Sequence, residues 1–358
     1  MKKIITCLTA LTLPALALAQ TESPALSHNQ IVEEAQESEW ISIPAEDLLV
    51  MRLAPDAEGN PREVIIQLMP APLSQGWIHN IELLAREGWY DGISVNRVQD
   101  NYVVQWGDPN YDNPESDGEA KPLPDGLKVM SEEEYAVPAS TLLQNWPEMK
   151  DIIDGCREAG REKCRMAEFP EHVQETMRLV RQSVTGKDPY AEAGAFWRGW
   201  PLVGSSQGEI VWPVHCYGMV GVGRNYSPDT GSGAELYTVI GPAPRHLDRN
   251  IALVGRIIEG IHHLSSLPRG NGELGFYADF EQDKRTPILS IDIAADLLVS
   301  ESEPAGLTYS YEYLSTESES FARYAEARVN RRDPFFIHPA GGADICNIPV
   351  PVRPAPNG

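Results

Sequence analysis

The sequence predicts a mainly β protein, and three stretches carry that prediction. Tyr102-Val103-Val104-Gln105 alternates as a strand with one buried face must, and it follows a strand-like run, Gly92–Val98, across the turn Gln99-Asp100-Asn101. Trp40–Leu53 and Glu63–Met69 are apolar-rich and separated by Pro55-Asp56-Ala57-Glu58-Gly59-Asn60-Pro61, a hairpin signal. Near the other end, Pro287–Ala294 reads as a further strand.

The chain opens with Lys2 and Lys3, an apolar run from Ile4 to Leu18, and the small residues Ala17-Leu18-Ala19. That pattern predicts a signal peptide over 1–19 and an exported, periplasmic protein. The run is short and interrupted by Pro14, so no membrane span is expected once it is removed. Loss of Lys2 and Lys3 takes the net charge from −23 to −25, which argues against nucleic acid as a partner. Residues 20–38 are polar and acidic and read as a disordered leader.

Four cysteines follow residue 19: Cys156, Cys164, Cys216 and Cys346. In an oxidising compartment three connectivities are open, with buried free thiols as the alternative. The local spacing within one polar segment favours Cys156–Cys164, leaving Cys216 with Cys346. Further elements read as helices. Ser74 stands as N-cap before Trp77, Ile78, Ile81, Leu84 and Ala85, and Gly88 stops that run. Met149–Met166, Glu171–Ser183 and Glu259–Ser266 look helical, and Thr316 stands as cap of a helical run with Phe321, Tyr324, Ala325 and Val329. Phe335-Phe336-Ile337 and Ile348–Val352 look extended, and the prolines of the second argue against a central strand.

The chemistry concentrates between Gly88 and Asp108, where Arg97, Tyr102, Gln105, Gly107 and Asp108 share one strand-turn-strand unit. Tyr90-Asp91-Gly92, Val95-Asn96-Arg97-Val98 and Asn101-Tyr102-Val103-Val104-Gln105-Trp106-Gly107-Asp108 fall in a fixed order and at fixed intervals. This stretch resembles the signature of cyclophilin-type peptidyl-prolyl isomerases: Tyr-Asp-Gly, Phe-His-Arg-Val, then Gly-Phe-Met-x-Gln-Gly-Gly-Asp. The resemblance resumes at Val214. His215–Gly223, Gly233-Ala234-Glu235-Leu236-Tyr237, Arg245-His246-Leu247-Asp248 and Val254-Gly255-Arg256-Ile257 are similar to later family segments. It covers roughly Trp40–Gly107 and Val214–Leu297.

The resemblance implies a closed eight-stranded antiparallel barrel capped by helices, over 39–298. A partly helical insertion at about 109–208 interrupts it, and an extension over 299–358 packs on it. It also implies isomerisation of Xaa-Pro bonds, with proline-containing client proteins or peptides as partners and no cofactor or metal. By matching position, Arg97, Gln105 and Tyr102 take the catalytic places. Val103, Glu235, Tyr237, His246, Leu247 and Ile251 fall at the substrate pocket, and Val220 and Gly221 match the edge that pairs with substrate backbone. A proline-segment-binding chaperone or scaffold without turnover is the alternative. Asp108, Asn110, Asp112 and Glu119 have EF-hand-like intervals, but Asn113 replaces the turn glycine and no helix precedes them.

Overall fold

Val64, Ile66 and Leu68 enter the main core, while Ile65 between them joins a second cluster with Leu48, Val50, Tyr309 and Tyr313. Both faces of these strands are buried. That is why Leu48–Leu53 and Val64–Leu68 read as near-continuous apolar runs, broken by Arg52 and Gln67, rather than as an alternation. The second cluster is the underside of the C-terminal extension.

The computed structural model describes residues 25–111, 117–144, 190–205, 210–298 and 309–356. Its strands are β1 (Trp40–Ile43), β2 (Leu48–Leu53), β3 (Arg62–Leu68), β4 (Ser94–Gln99), β5 (Val103–Gly107), β6 (Val137–Pro138), β7 (Ala193–Trp197), β8 (Trp200–Gly204), β9 (Ile210–Pro213), β10 (Met219–Val222), β11 (Leu236–Val239), β12 (Leu253–Glu259), β13 (Ile288–Ile293), β14 (Tyr311–Leu314) and β15 (Val352–Pro354). Eight of them form one antiparallel sheet in the order β13-β2-β3-β12-β10-β11-β5-β4. The two end strands meet, so the barrel is nearly closed. Gly92 N–H bonds Ile288 O (3.0 Å), Ile288 N–H bonds Ile93 O (2.8 Å) and Val95 N–H bonds Thr286 O (2.9 Å).

The helix Gln75–Arg86 lays Trp77, Ile78, Ile81 and Leu84 onto the core, as the spacing predicts. Ser74 precedes it but does not cap it with its side chain. Its hydroxyl instead donates to Leu253 O at 2.6 Å. Asn80, fully buried on the same helix, donates to Lys128 O and Ser232 O at 2.9 Å each and pins two loops.

Outside the barrel the structure differs from the sequence reading in the leader and in the extension. The expected disordered leader is ordered from Ala25. Helix His28–Glu33 starts with a capping box between Ser27 and Gln30 and buries Ile31 and, just beyond it, Ala35 against helix Glu319–Asn330. The described part of the insertion holds a short helix, Ala139–Gln144, and the strands β6, β7 and β8, which with β9 form a four-stranded sheet, β6-β9-β8-β7, whose β7–β8 hairpin turns at Arg198 and Gly199, both with positive φ. Arg256 of β12 holds this hairpin, donating to Gly199 O (2.7 Å) with its guanidinium over the Trp200 ring. The helices expected at Met149–Met166 and Glu171–Ser183 lie outside the described residues, as do Cys156 and Cys164. In the extension, Ser318 rather than Thr316 caps the helix, accepting from Phe321 N at 3.0 Å. Phe335–Ile337 forms no strand.

The extension is joined to the barrel by hydrogen bonds from Arg52 Nη2 to Tyr309 OH (3.2 Å) and from Tyr309 OH to Glu63 Oε2 (3.0 Å), and by a covalent link. β14 pairs with β1 and carries β15 on its other side, so the proline-rich β15 is an edge strand. Cys216 and Cys346 form a disulfide with a Cα–Cα separation of 5.1 Å. No helix among the described residues is long and apolar enough to cross a membrane.

Candidate active site

Alternation along β5 sends Val104 and Trp106 into the core and leaves Val103 and Gln105 on the outer face. Register then builds the site. Arg97 on β4 stands opposite Gln105 on β5, and Gln105 opposite Tyr237 on β11. Val103 pairs with Val239 in the same ladder, and Val103, Tyr237 and Val239 form a small apolar cluster with Tyr102 and Ile251. The result is a groove of about 470 Å³ on the barrel's outer face, where Arg97, Gln105, Tyr102, Tyr237 and aliphatic surface meet, with Arg224, Glu235 and Glu273 also in its lining.

Among the described residues Arg97 has no carboxylate partner. Its Nε donates to Leu274 O (2.7 Å), Nη1 to Gln105 Oε1 (3.2 Å) and Nη2 to Gln99 Oε1. The rings of Tyr102 and Phe276 lie 5.8 and 5.5 Å from its guanidinium carbon. Burial pulls its pKa below the ordinary value and the two groove tyrosines pull it back, but a guanidinium so placed stays charged. A guanidinium carries five N–H donors. Three are spent here, and the other two, one on each Nη, have no acceptor among the described residues.

Glu235 lines the groove but does not pair with Arg97. Its buried carboxylate lies over Gly107, where an added Cβ would stand 1.9 Å from Oε1, so glycine is required there. Two departures from the quoted signature are interior. Asn96 donates to Gly107 O (3.0 Å) from a buried position, and Trp106 is fully buried. The Tyr237 hydroxyl faces away from the groove entrance, 2.8 Å from His215 Nε2. Burial pushes both the Tyr237 and Tyr102 phenols above their ordinary pKa.

Arg97, Tyr102, Val103, Gln105, Glu235, Tyr237, Leu247 and Ile251 thus share one groove. His246 stands just outside it, exposed, its ring near-parallel to Tyr102 with centroids 6.4 Å apart. Val220 and Gly221 are a correction. β10 lies between β11 and β12, Val220 facing Thr238 and Gly255, so neither backbone edge is open to a substrate. The groove wall is formed instead by the loop that follows, Gly223 to Tyr226. Sequence reasoning also missed Tyr111, Glu273, Leu274 and Phe276. The last three run beside β4, where Phe276 bridges Arg97. Asp108 accepts from the backbone N–H groups of Asn110 and Lys121 and so ties its loop, while Asp112 lies outside the described residues.

These features define a barrel with a groove shaped for an apolar ring beside a polar backbone. The family model described as cyclophilin type peptidyl-prolyl cis-trans isomerase/CLD matches residues 77–291. The chain belongs to the cyclophilin-type peptidyl-prolyl isomerases and is an isomerase. Its fold is similar to that of cyclophilin AquaCyp293 from Hirschia baltica, with TM-score 0.54, 16% identity, and coverage of 89% of this chain and 97% of that one. A Cryptosporidium parvum cyclophilin type isomerase, solved in the presence of the dipeptide Ala-Pro, aligns with TM-score 0.33, 11% identity, and coverage of 68% and 98%. No curated protein matches at the sequence level.

The buried His215 gives this site a pH signature. Burial, first, holds its pKa below the ordinary value near 6.5; the Asp248 carboxylate opposes this, and His246 and Arg245 add to it. Between 6.5 and the lower folded value the unfolded chain binds a proton that the native chain does not, so stability rises with pH through that window. Denaturant midpoints should therefore fall as pH drops below about 6.5, and His215→Gln should lack that part of the slope. Equal slopes in the two chains would contradict a buried neutral imidazole.

Proposed function

We propose that the chain isomerises Xaa-Pro bonds of exported proteins by donating from Arg97 to the prolyl nitrogen as the amide twists. Amide resonance sets a barrier of about 18–20 kcal/mol to this rotation. Opposing it requires no nucleophile, only a site that fits the twisted state better than either planar one. When the amide twists, its nitrogen regains a lone pair, and a fixed cationic donor stabilises that state more than the planar forms. A gain of about 5–8 kcal/mol corresponds to four to six decades in rate.

The observation that carries this reading is the Arg97 guanidinium itself, held on three acceptors with two N–H groups left beside an apolar floor. Gln105 orients it and has an amide N–H₂ left for substrate backbone. Tyr102, Val103, Tyr237, Leu247 and Ile251 supply the surface for the proline ring. Binding without turnover, as in a chaperone or scaffold, needs the same floor but not the donor. The Arg97 variant separates the two.

In a protease-coupled assay on an Ala-Pro peptide, Arg97→Ala should lower kcat/KM about 100-fold and Gln105→Ala about tenfold. Equal rates in wild type and Arg97→Ala would refute the catalytic role. The exported setting rests on the basic and apolar run over 1–19. In cells the mature chain should begin at Gln20, read by N-terminal sequencing of the envelope fraction. A chain retaining residues 1–19 would overturn that part.

A further inference from the structure

Beneath the groove lies a buried polar chain that the reaction itself does not require. Tyr237 OH is 2.8 Å from His215 Nε2, and His215 Nδ1 is 2.8 Å from Asp248 Oδ1. The same carboxylate accepts His215 N–H (3.0 Å) at Oδ1 and Arg245 Nε–H (2.7 Å) at Oδ2. The side chains of His215, Arg245 and Asp248 are at most 5% exposed. An ionised carboxylate only accepts, so Nδ1 carries the imidazole proton, Nε2 is the acceptor and the Tyr237 hydroxyl is the donor. The opposite side of that hydroxyl is closed by Gly221, where an added Cβ would lie 2.4 Å from the oxygen. The phenol therefore presents its ring to the groove, while its hydroxyl is fixed from behind.

We infer that His215 is a positioning residue for the proline pocket: it fixes the ring of Tyr237 through the hydroxyl, and the C-terminal extension braces it. The brace has two anchors. Cys216, the next residue in the chain, is bonded to Cys346. Asp344 of the extension lies 3.8 Å from Arg245 Nη1 and accepts Cys346 N–H at 2.8 Å. The groups facing the imidazole are Asp248, Arg245, His246 and Tyr237, and burial keeps the ring neutral among them. An orphaned buried hydroxyl is costly, so without His215 the Tyr237 side chain would tilt to find another partner and narrow or distort the floor.

This inference rests on the proline-pocket reading, and the two can be tested apart. Wild-type turnover of an Ala-Pro peptide tests that reading; a comparison between backgrounds tests this one. His215→Leu should lower kcat/KM about tenfold, mainly through KM, when residue 237 is tyrosine. In Tyr237→Phe, which has no hydroxyl to hold, the same substitution should change kcat/KM less than twofold. His215→Gln, whose amide can still bridge acceptor and hydroxyl, should stay within threefold of wild type. Equal losses in the two backgrounds, or no loss in either, would overturn the inference. If His215→Leu does not fold, long-range proton–nitrogen spectroscopy of the wild type decides it. An Nδ1-protonated imidazole is expected, and an Nε2-protonated one would overturn the inference.

Discussion

A guanidinium held in place without being neutralised is the constraint from which the groove follows. Leu274 O, Gln105 Oε1 and Gln99 Oε1 fix Arg97, and none of them is an anion. Neutral acceptors orient a cation without cancelling it. The field left over points into the groove, where the low dielectric of the surrounding apolar surface strengthens it. A paired carboxylate would have cost the site that field. Glu235, which also lines the groove, turns over Gly107 instead.

That arrangement depends on register. Arg97, Gln105 and Tyr237 come side by side because β4, β5 and β11 are adjacent and antiparallel. A slip of one residue along β5 would bring Val104 and Trp106 to the groove and bury Val103 and Gln105 in the core. The fully buried Val104 and Trp106 oppose such a slip, so barrel packing enforces the geometry of the site. Among the described residues that line the groove, Tyr111 comes from 109–208 and none comes from the extension. The extension closes the outer faces of β2 and β3 over Ile65, Leu48 and Val50.

Much of this was legible in the chain. The interval from Arg97 to Gln105 specifies two strands and a tight turn, and Asn101 takes the positive φ (57°) that the turn needs. Eight of the eleven groove positions inferred from the signature line the groove. Val220 and Gly221 were misplaced because the chain between Gly218 and Gly233 is loop-rich. The match therefore fell on the strand rather than on the loop after it. Leu274 and Phe276 had no signal, since they reach Arg97 across 177 and 179 positions of sequence. The leader helix was hidden by its polarity. Its clues were the Ser27–Gln30 capping box and two apolar residues, Ile31 and Ala35, at helical spacing.

The most direct test keeps the charge and removes the fork. Arg97→Lys retains a cation in the groove but cannot satisfy Gln105, Gln99 and Leu274 while donating to a substrate nitrogen. Exchange spectroscopy of an Ala-Pro peptide with catalytic amounts of protein reports the cis–trans rate at equilibrium, and peptide titration in the same tube reports binding. A pinned guanidinium predicts that the lysine chain binds the peptide within a few-fold of wild type yet exchanges it at least tenfold more slowly. Exchange as fast as wild type would show that charge alone suffices and that the geometry around Arg97 does not drive the reaction.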